Sequence, residues 1–132
     1  MYTYKVKEVL RVVDGDTVDI LIDLGFGIHK KERVRMAGID APETRTKDFK
    51  EKSFGMEAKL WLTECLETVQ PITIKTEKEG KYGRILGWLY VNDSDESVNE
   101  IMISEGYAWR YDGDKKEKDF TLLEKLRTAD VL

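Results

Sequence analysis

The sequence predicts an α+β domain, mainly a five-stranded Greek-key β-barrel with three α-helices packed on it. Three observations carry this. Period-2 alternation runs through the first half, and one helical apolar stripe lies in the middle. The elements also read, in order, as three strands, a helix, two strands and two helices.

Tyr2 to Val13 is rich in tyrosine and valine and stops at the turn signal Asp14-Gly15-Asp16. Val18, Ile20, Ile22 and Leu24 then alternate with Asp19, Leu21 and Asp23, as a strand with one wetter face does. Gly25-Phe26-Gly27 makes a loop, and Glu32 to Ile39 reads as the return strand. A long polar loop follows, from Asp40 through Lys52. Helical spacing begins near Gly55: Ala58, Trp61, Leu62, Cys65 and Val69 form one stripe. Beyond Pro71, Ile72–Lys78 and Arg84–Asn92 read as two strands joined by the glycine turn Glu79-Gly80-Lys81-Tyr82-Gly83. Ser97-Val98-Asn99-Glu100 matches a capping box, with Gly106 as the stop of that helix. A last helix runs from about Phe120, with Leu122, Leu126 and Ala129 on one side.

At 132 residues the chain is one domain, residues 1–132, with enough length to bury a core. No apolar run approaches the roughly 20 residues of a membrane helix, and no membrane partner is expected. The N-terminus lacks the layout of a signal peptide, which predicts a cytoplasmic chain, or a secreted one whose leader has been removed. A monomer is expected. The single Cys65 excludes an internal disulfide and a thiolate zinc cluster. The net charge of −4 argues mildly against nucleic acid as ligand. Two stretches are nonetheless basic: His29 to Arg35, and Lys75, Lys78, Lys81 and Arg84.

If the strands after Asp16 and before Asp40 pair around a loop near Ile28, the two aspartates meet at the same end. Carboxylates held close repel unless a proton or a cation intervenes, and Ca²⁺ favours such oxygen ligands. From spacing alone, two turn-capping aspartates remain the slightly better reading. Arg35, Glu43 and Arg84 shift the balance, since arginine forks beside a cation describe phosphoryl-transfer chemistry. Read singly, each is better taken as a surface charge. His29 and the Lys47–Lys52 run read as solvated loop residues. Cys65 and the tryptophans at 61, 88 and 109 read as core, with Trp109 close enough to a cleft to touch substrate.

Val12-Val13-Asp14-Gly15-Asp16-Thr17-Val18, Val34-Arg35-Met36-Ala37-Gly38-Ile39-Asp40-Ala41-Pro42-Glu43-Thr44 and Lys81-Tyr82-Gly83-Arg84 closely resemble the signature blocks of the staphylococcal nuclease (thermonuclease) family. Phe54-Gly55-Met56-Glu57-Ala58 and Val98-Asn99-Glu100 are similar to its first two helix starts, so the resemblance runs in order from about Val9 to Tyr111. It implies an OB-fold barrel and a Ca²⁺-dependent nuclease that hydrolyses DNA and/or RNA at the 5′ P–O bond, leaving 3′-phosphates. By position it implies Asp16, Asp40 and the Ala41 carbonyl as metal ligands. Glu43 would orient or deprotonate the attacking water, and Arg35 and Arg84 would hold the scissile phosphate. Lys81, Tyr82 and Tyr111 would contact substrate. The alternative reading is a nuclease-like barrel without catalysis that binds nucleic acid or protein. The acidic stretch at Asp112 and Asp114, where the family has tyrosine and basic residues, keeps that alternative open.

Overall fold

The computed structural model describes residues 1–79, 84–113 and 116–129. Its strands are β1 (Tyr2–Asp14), β2 (Thr17–Asp23), β3 (His29–Met36), β4 (Ile39–Asp40), β5 (Ile72–Glu79), β6 (Ile85–Val91) and β7 (Trp109–Arg110). The helices are α1 (Phe49–Thr68), α2 (Val98–Ser104) and α3 (Phe120–Ala129). Five strands close a barrel in the order β1-β2-β3-β6-β5, and β4 and β7 form a separate two-stranded ladder. All pairings in the barrel are antiparallel except β3 with β6. This is the mixed five-stranded OB-like barrel that the sequence predicts.

Closure depends on β1, where three register shifts against β2 bend the strand enough to pair also with β5. The inward residues of the strands fill the barrel: Val18, Ile20, Val34, Met36, Ile74 and Leu89 are all buried. The alternation expected for β2 holds through Ile22. Leu24 lies beyond the strand end and is exposed instead.

Helix α1 starts six residues before the expected Gly55, so Phe49–Lys52 is helical rather than loop. Asp48 caps it by accepting from the N–H groups of Lys50 and Glu51 at 3.0 and 3.1 Å. Its buried side is Ala58, Leu62 and Leu66, whereas Trp61 and Cys65 flank the stripe half-buried. Burial pushes the Cys65 thiol pKa up, as suits a packing residue. Ser97 caps α2 as expected, while the Glu100 carboxylate holds the Arg110 guanidinium in a two-pronged pair. Gly106, at φ +81°, lets the chain leave α2, with Tyr107 N–H bonded to Met102 C=O at 2.8 Å.

In α3 Leu123 is buried and Leu126 is half-buried against Gly106, as expected for Leu126, whereas Leu122 faces solvent. The cause is aromatic packing: the Phe120 ring lies 5.2 Å from Phe54 and 5.3 Å, edge-on, from Trp109. Arg127 stacks over Phe54 and Tyr107 and donates to Gly106 C=O at 2.8 Å. No helix among the described residues is long and apolar enough to cross a membrane.

Candidate active site

The β1–β2 turn and the 40–44 segment are locked together at one end of the barrel. Gly15 is required in that turn, because a Cβ there would lie 2.9 Å from the Cβ atoms of both Ala41 and Ala58. The close approach lets Asp16 Oδ2 accept from Ala41 N–H at 2.9 Å while Oδ1 accepts from Thr17 Oγ1 at 3.0 Å. Asp14 Oδ1 accepts from Thr44 Oγ1 at 2.5 Å and clasps the segment further along. Arg35, paired across the hairpin with Thr17, donates to Met36 C=O and Ile39 C=O, both at 2.8 Å. Its Nη2 also lies 3.7 Å from Asp16 Oδ2. The guanidinium is thereby fixed before any ligand arrives.

Asp40 pairs with Trp109 in the β4–β7 ladder and is buried. Its Oδ1 lies 3.4 Å from Lys116 Nζ, while its buried Oδ2 has no hydrogen-bond partner among the described residues. Burial raises its pKa above the ordinary carboxylate value. Lys116 pulls it back and the neighbouring Asp16 charge adds to the rise. An orphaned buried carboxylate oxygen is costly unless something compensates it.

Glu43 stands on a short network. Its backbone N–H donates to Glu51 Oε2 at 3.2 Å, and Lys118 Nζ donates to that same oxygen at 2.6 Å. Lys118 also lies 4.0 Å from Glu43 Oε1, and its pKa is raised chiefly by the Glu51 bond. Helix α1 presses directly on this loop: a Cβ on Gly55 would lie 2.4 Å from Glu43 C=O.

Asp16, Arg35, Asp40, Ala41, Glu43 and Arg84 all line one open pocket of about 220 Å³, with Asp14, Thr17, Pro42 and Lys116. These are all six residues expected to bind metal or act in catalysis. Lys81 and Tyr82 lie outside the described residues. Tyr111 lines a neighbouring apolar pocket of about 380 Å³ with Met36, Leu86 and Trp88, and Arg35 borders both pockets. Trp88 therefore faces a pocket, not the core. Trp109 is core, its indole N–H donating to Asp119 C=O at 2.9 Å. Sequence reasoning missed Glu51, Lys116 and Lys118. Only Glu51 had a signal, the cap pattern Asp48-x-x-Glu51.

The sequence profile of staphylococcal nuclease homologues matches residues 33–130. The chain belongs to this family. It is 33% identical over 129 residues to a micrococcal nuclease of Shigella flexneri, covering 92% of this chain and 67% of that protein. It is 33% identical over 107 residues to an uncharacterized endonuclease of Escherichia coli, covering 79% of this chain and 60% of the relative. A thermonuclease of Staphylococcus hyicus is 34% identical over 108 residues, covering 80% and 57% respectively. The chain thus spans between about half and two thirds of the length of these relatives. Family membership agrees with the barrel. Among the described residues no group of three or more His, Cys, Asp or Glu side chains is placed to hold a metal. The acidic lining of the pocket is Asp14, Asp16, Asp40 and Glu43.

Proposed function

We propose that the chain is a Ca²⁺-dependent nuclease that hydrolyses phosphodiester bonds of DNA and/or RNA, cutting the 5′ P–O bond and leaving 3′-phosphate ends. The observation that carries this is one pocket lined by Asp16, Asp40, Glu43 and two arginines, in which the buried Oδ2 of Asp40 has no hydrogen-bond partner among the described residues. The donor set fits a hard divalent cation: two carboxylates and the Ala41 backbone carbonyl, all oxygen. Bound there, Ca²⁺ would supply Lewis-acid stabilisation of charge on the phosphate.

Arg35 and Arg84 hold the scissile phosphate, and Arg35 needs little reorganisation because two carbonyls already fix it. Glu43, backed by Glu51 and Lys118, holds the attacking water and accepts its proton as the oxygen bonds to phosphorus. The P–O5′ bond then breaks, the 5′-oxygen leaves and takes up a proton, and the phosphate stays on the 3′ side. The adjoining Trp88–Tyr111 pocket accepts the base next to that phosphate.

The test is digestion of single-stranded DNA, double-stranded DNA and RNA with Ca²⁺, Mg²⁺ or chelator. Wild type should cut with Ca²⁺ only. Glu43→Gln and Arg84→Ala should each lower kcat by about 10²-fold or more with unchanged circular dichroism. Wild type that binds oligonucleotide yet cuts nothing with Ca²⁺ would leave a binding module instead.

A further inference from the structure

Lys116 lines the candidate active-site pocket, yet the proposed mechanism gives it no task. Its Nζ lies 3.4 Å from Asp40 Oδ1, so an ammonium stands against the carboxylate proposed to hold the metal. The same Nζ lies 5.6 Å from the centre of the Tyr111 ring. The lysine thus sits between the acidic end of the pocket and its rim. Two residues along the chain the segment is anchored. Lys118 Nζ donates to Glu51 Oε2 at 2.6 Å, and Asp119 C=O accepts from the Trp109 indole N–H at 2.9 Å. Asp119 Oδ1 also accepts from Leu122 N–H at 3.1 Å. The Lys116 side chain, by contrast, is 49% exposed, against 7% for Asp40. Its flexible stem can swing the charge while the segment stays in place.

An ammonium is a donor only and cannot ligate a metal, whereas Ca²⁺ takes carboxylate oxygens at about 2.3–2.6 Å. With both cations on Oδ1, they would stand at most about 6 Å apart. Like charges that close, beside a carboxylate withdrawn from water, oppose each other's binding. The metal and Lys116 therefore compete for Asp40. A displaced ammonium remains beside Arg35 and Arg84, where the anion that the proposed reaction brings is a phosphate.

We infer that Lys116 serves two partners in turn. In the metal-free protein its ammonium is the counter-cation of Asp40, and once a divalent cation takes that carboxylate it swings to a phosphate of the bound strand. The inference rests on the nuclease reading and adds to it a substrate-binding residue that also sets the metal affinity. Metal and strand are then linked, since each favours the lysine position that the other requires.

The test reads metal and strand binding separately from cutting. Ca²⁺ alone is titrated calorimetrically into the whole chain, where Lys116→Met should lower the Ca²⁺ Kd about threefold to tenfold. Lys116→Arg, which keeps the charge, should stay near wild type. Lys50→Met, which removes an equal charge from the exposed start of α1, should shift Kd by less than about twofold. Binding of a fluorescein-labelled oligothymidylate 12-mer is then followed by anisotropy in the Glu43→Gln background, so that the strand stays whole. In saturating Ca²⁺, Lys116→Met should weaken strand binding about threefold to tenfold. In chelator, where Asp40 holds the ammonium, the loss should be less than about twofold. Opposite signs on the two ligands are the signature, because a merely structural lysine would weaken both. A Lys116→Met protein that binds Ca²⁺ no tighter than wild type overturns the exchange. Strand binding in Ca²⁺ equal to that of the Glu43→Gln parent overturns its second half. Wild type that binds Ca²⁺ yet cuts no strand removes the nuclease reading, while the calorimetry still reads the competition at Asp40.

Discussion

Asp40 should destabilise the metal-free protein and stabilise the metal-bound one, and Asp40→Asn separates the two effects. Asp40 Oδ2 is buried without a partner, and an unsatisfied buried polar group costs about 1–3 kcal/mol, more when charged. Lys116 offsets part of this, but its side chain is 49% exposed, and such a pair contributes about 0–1 kcal/mol. Removing the charge while keeping the shape should therefore stabilise the metal-free fold by about 1–2 kcal/mol. For a domain of this size that is a Tm increase of roughly 4–8 °C. The effect has a definite pH sign. The folded pKa of Asp40 is raised by burial, so the penalty is absent below the ordinary carboxylate pKa. It grows as pH rises through the folded pKa, and the gap between variant and wild type should close on acidification. Ca²⁺ at 100 times its Kd adds about 2.7 kcal/mol to wild type and should add little to the variant, reversing their order. Thermal melts followed by circular dichroism, with Ca²⁺ and with chelator, read all of this. A variant that melts below wild type in chelator, or that gains as much from Ca²⁺, refutes the reasoning.

Three further outcomes are expected. Gly55→Ala drives a methyl group onto the Glu43 carbonyl, so it should cost about 1–3 kcal/mol in denaturant melts and displace the Glu43 segment, lowering kcat as well if Glu43 acts as proposed. Asn99 is buried, accepts from Leu89 N–H at 3.1 Å and donates to Ala37 C=O and Gly87 C=O at 2.8 and 3.1 Å. Asn99→Ala should therefore destabilise by on the order of 3 kcal/mol, with amide exchange accelerated first at the β3–β6 junction. Lys118→Met takes the cation from the buried Glu51 carboxylate and should cost about 1–3 kcal/mol in denaturant melts. It should also lower kcat more than it raises KM if Lys118 positions Glu43 through Glu51.

What could be read from the sequence was what local periodicity encodes. Val18, Ile20 and Ile22 alternate because each inward side chain must enter the barrel, and that pattern survives without knowledge of any partner strand. The hairpin placed Asp16 and Asp40 at one end for the same reason. Trp88 was misread because β6 inverts the usual cue. Gly87 faces the interior, where Ile74 fills the space a Cβ would take, and the larger Trp88 lies on the other face. A continuous run such as Ile85-Leu86-Gly87-Trp88-Leu89 does not say which residues point inward. The start of α1 was hidden by lysines around Asp48 and Glu51, although the cap pattern was present. Lys116 and Lys118 carried no local signal. Their approach to Asp40 and Glu51 depends on where α3 docks, through Phe120 against Phe54 and Trp109.

The net charge of −4 argued against a nucleic-acid ligand, yet the distribution of charge reverses that inference. Asp14, Asp16, Asp40 and Glu43 line one pocket, and Glu51 supports it from beneath. These five of the 26 acidic residues outnumber the net excess of four and sit where a divalent cation would offset them. Arg35, Arg84 and Lys116 border the same space, so with the cation in place the pocket turns from repelling a phosphate to attracting one. Global charge reports on steering at long range, where salt screens it within about a Debye length. The proposed chemistry would be decided within a few ångströms of Asp40. Here the fold has placed the fixed Arg35 guanidinium near a buried carboxylate oxygen that has no hydrogen-bond partner among the described residues.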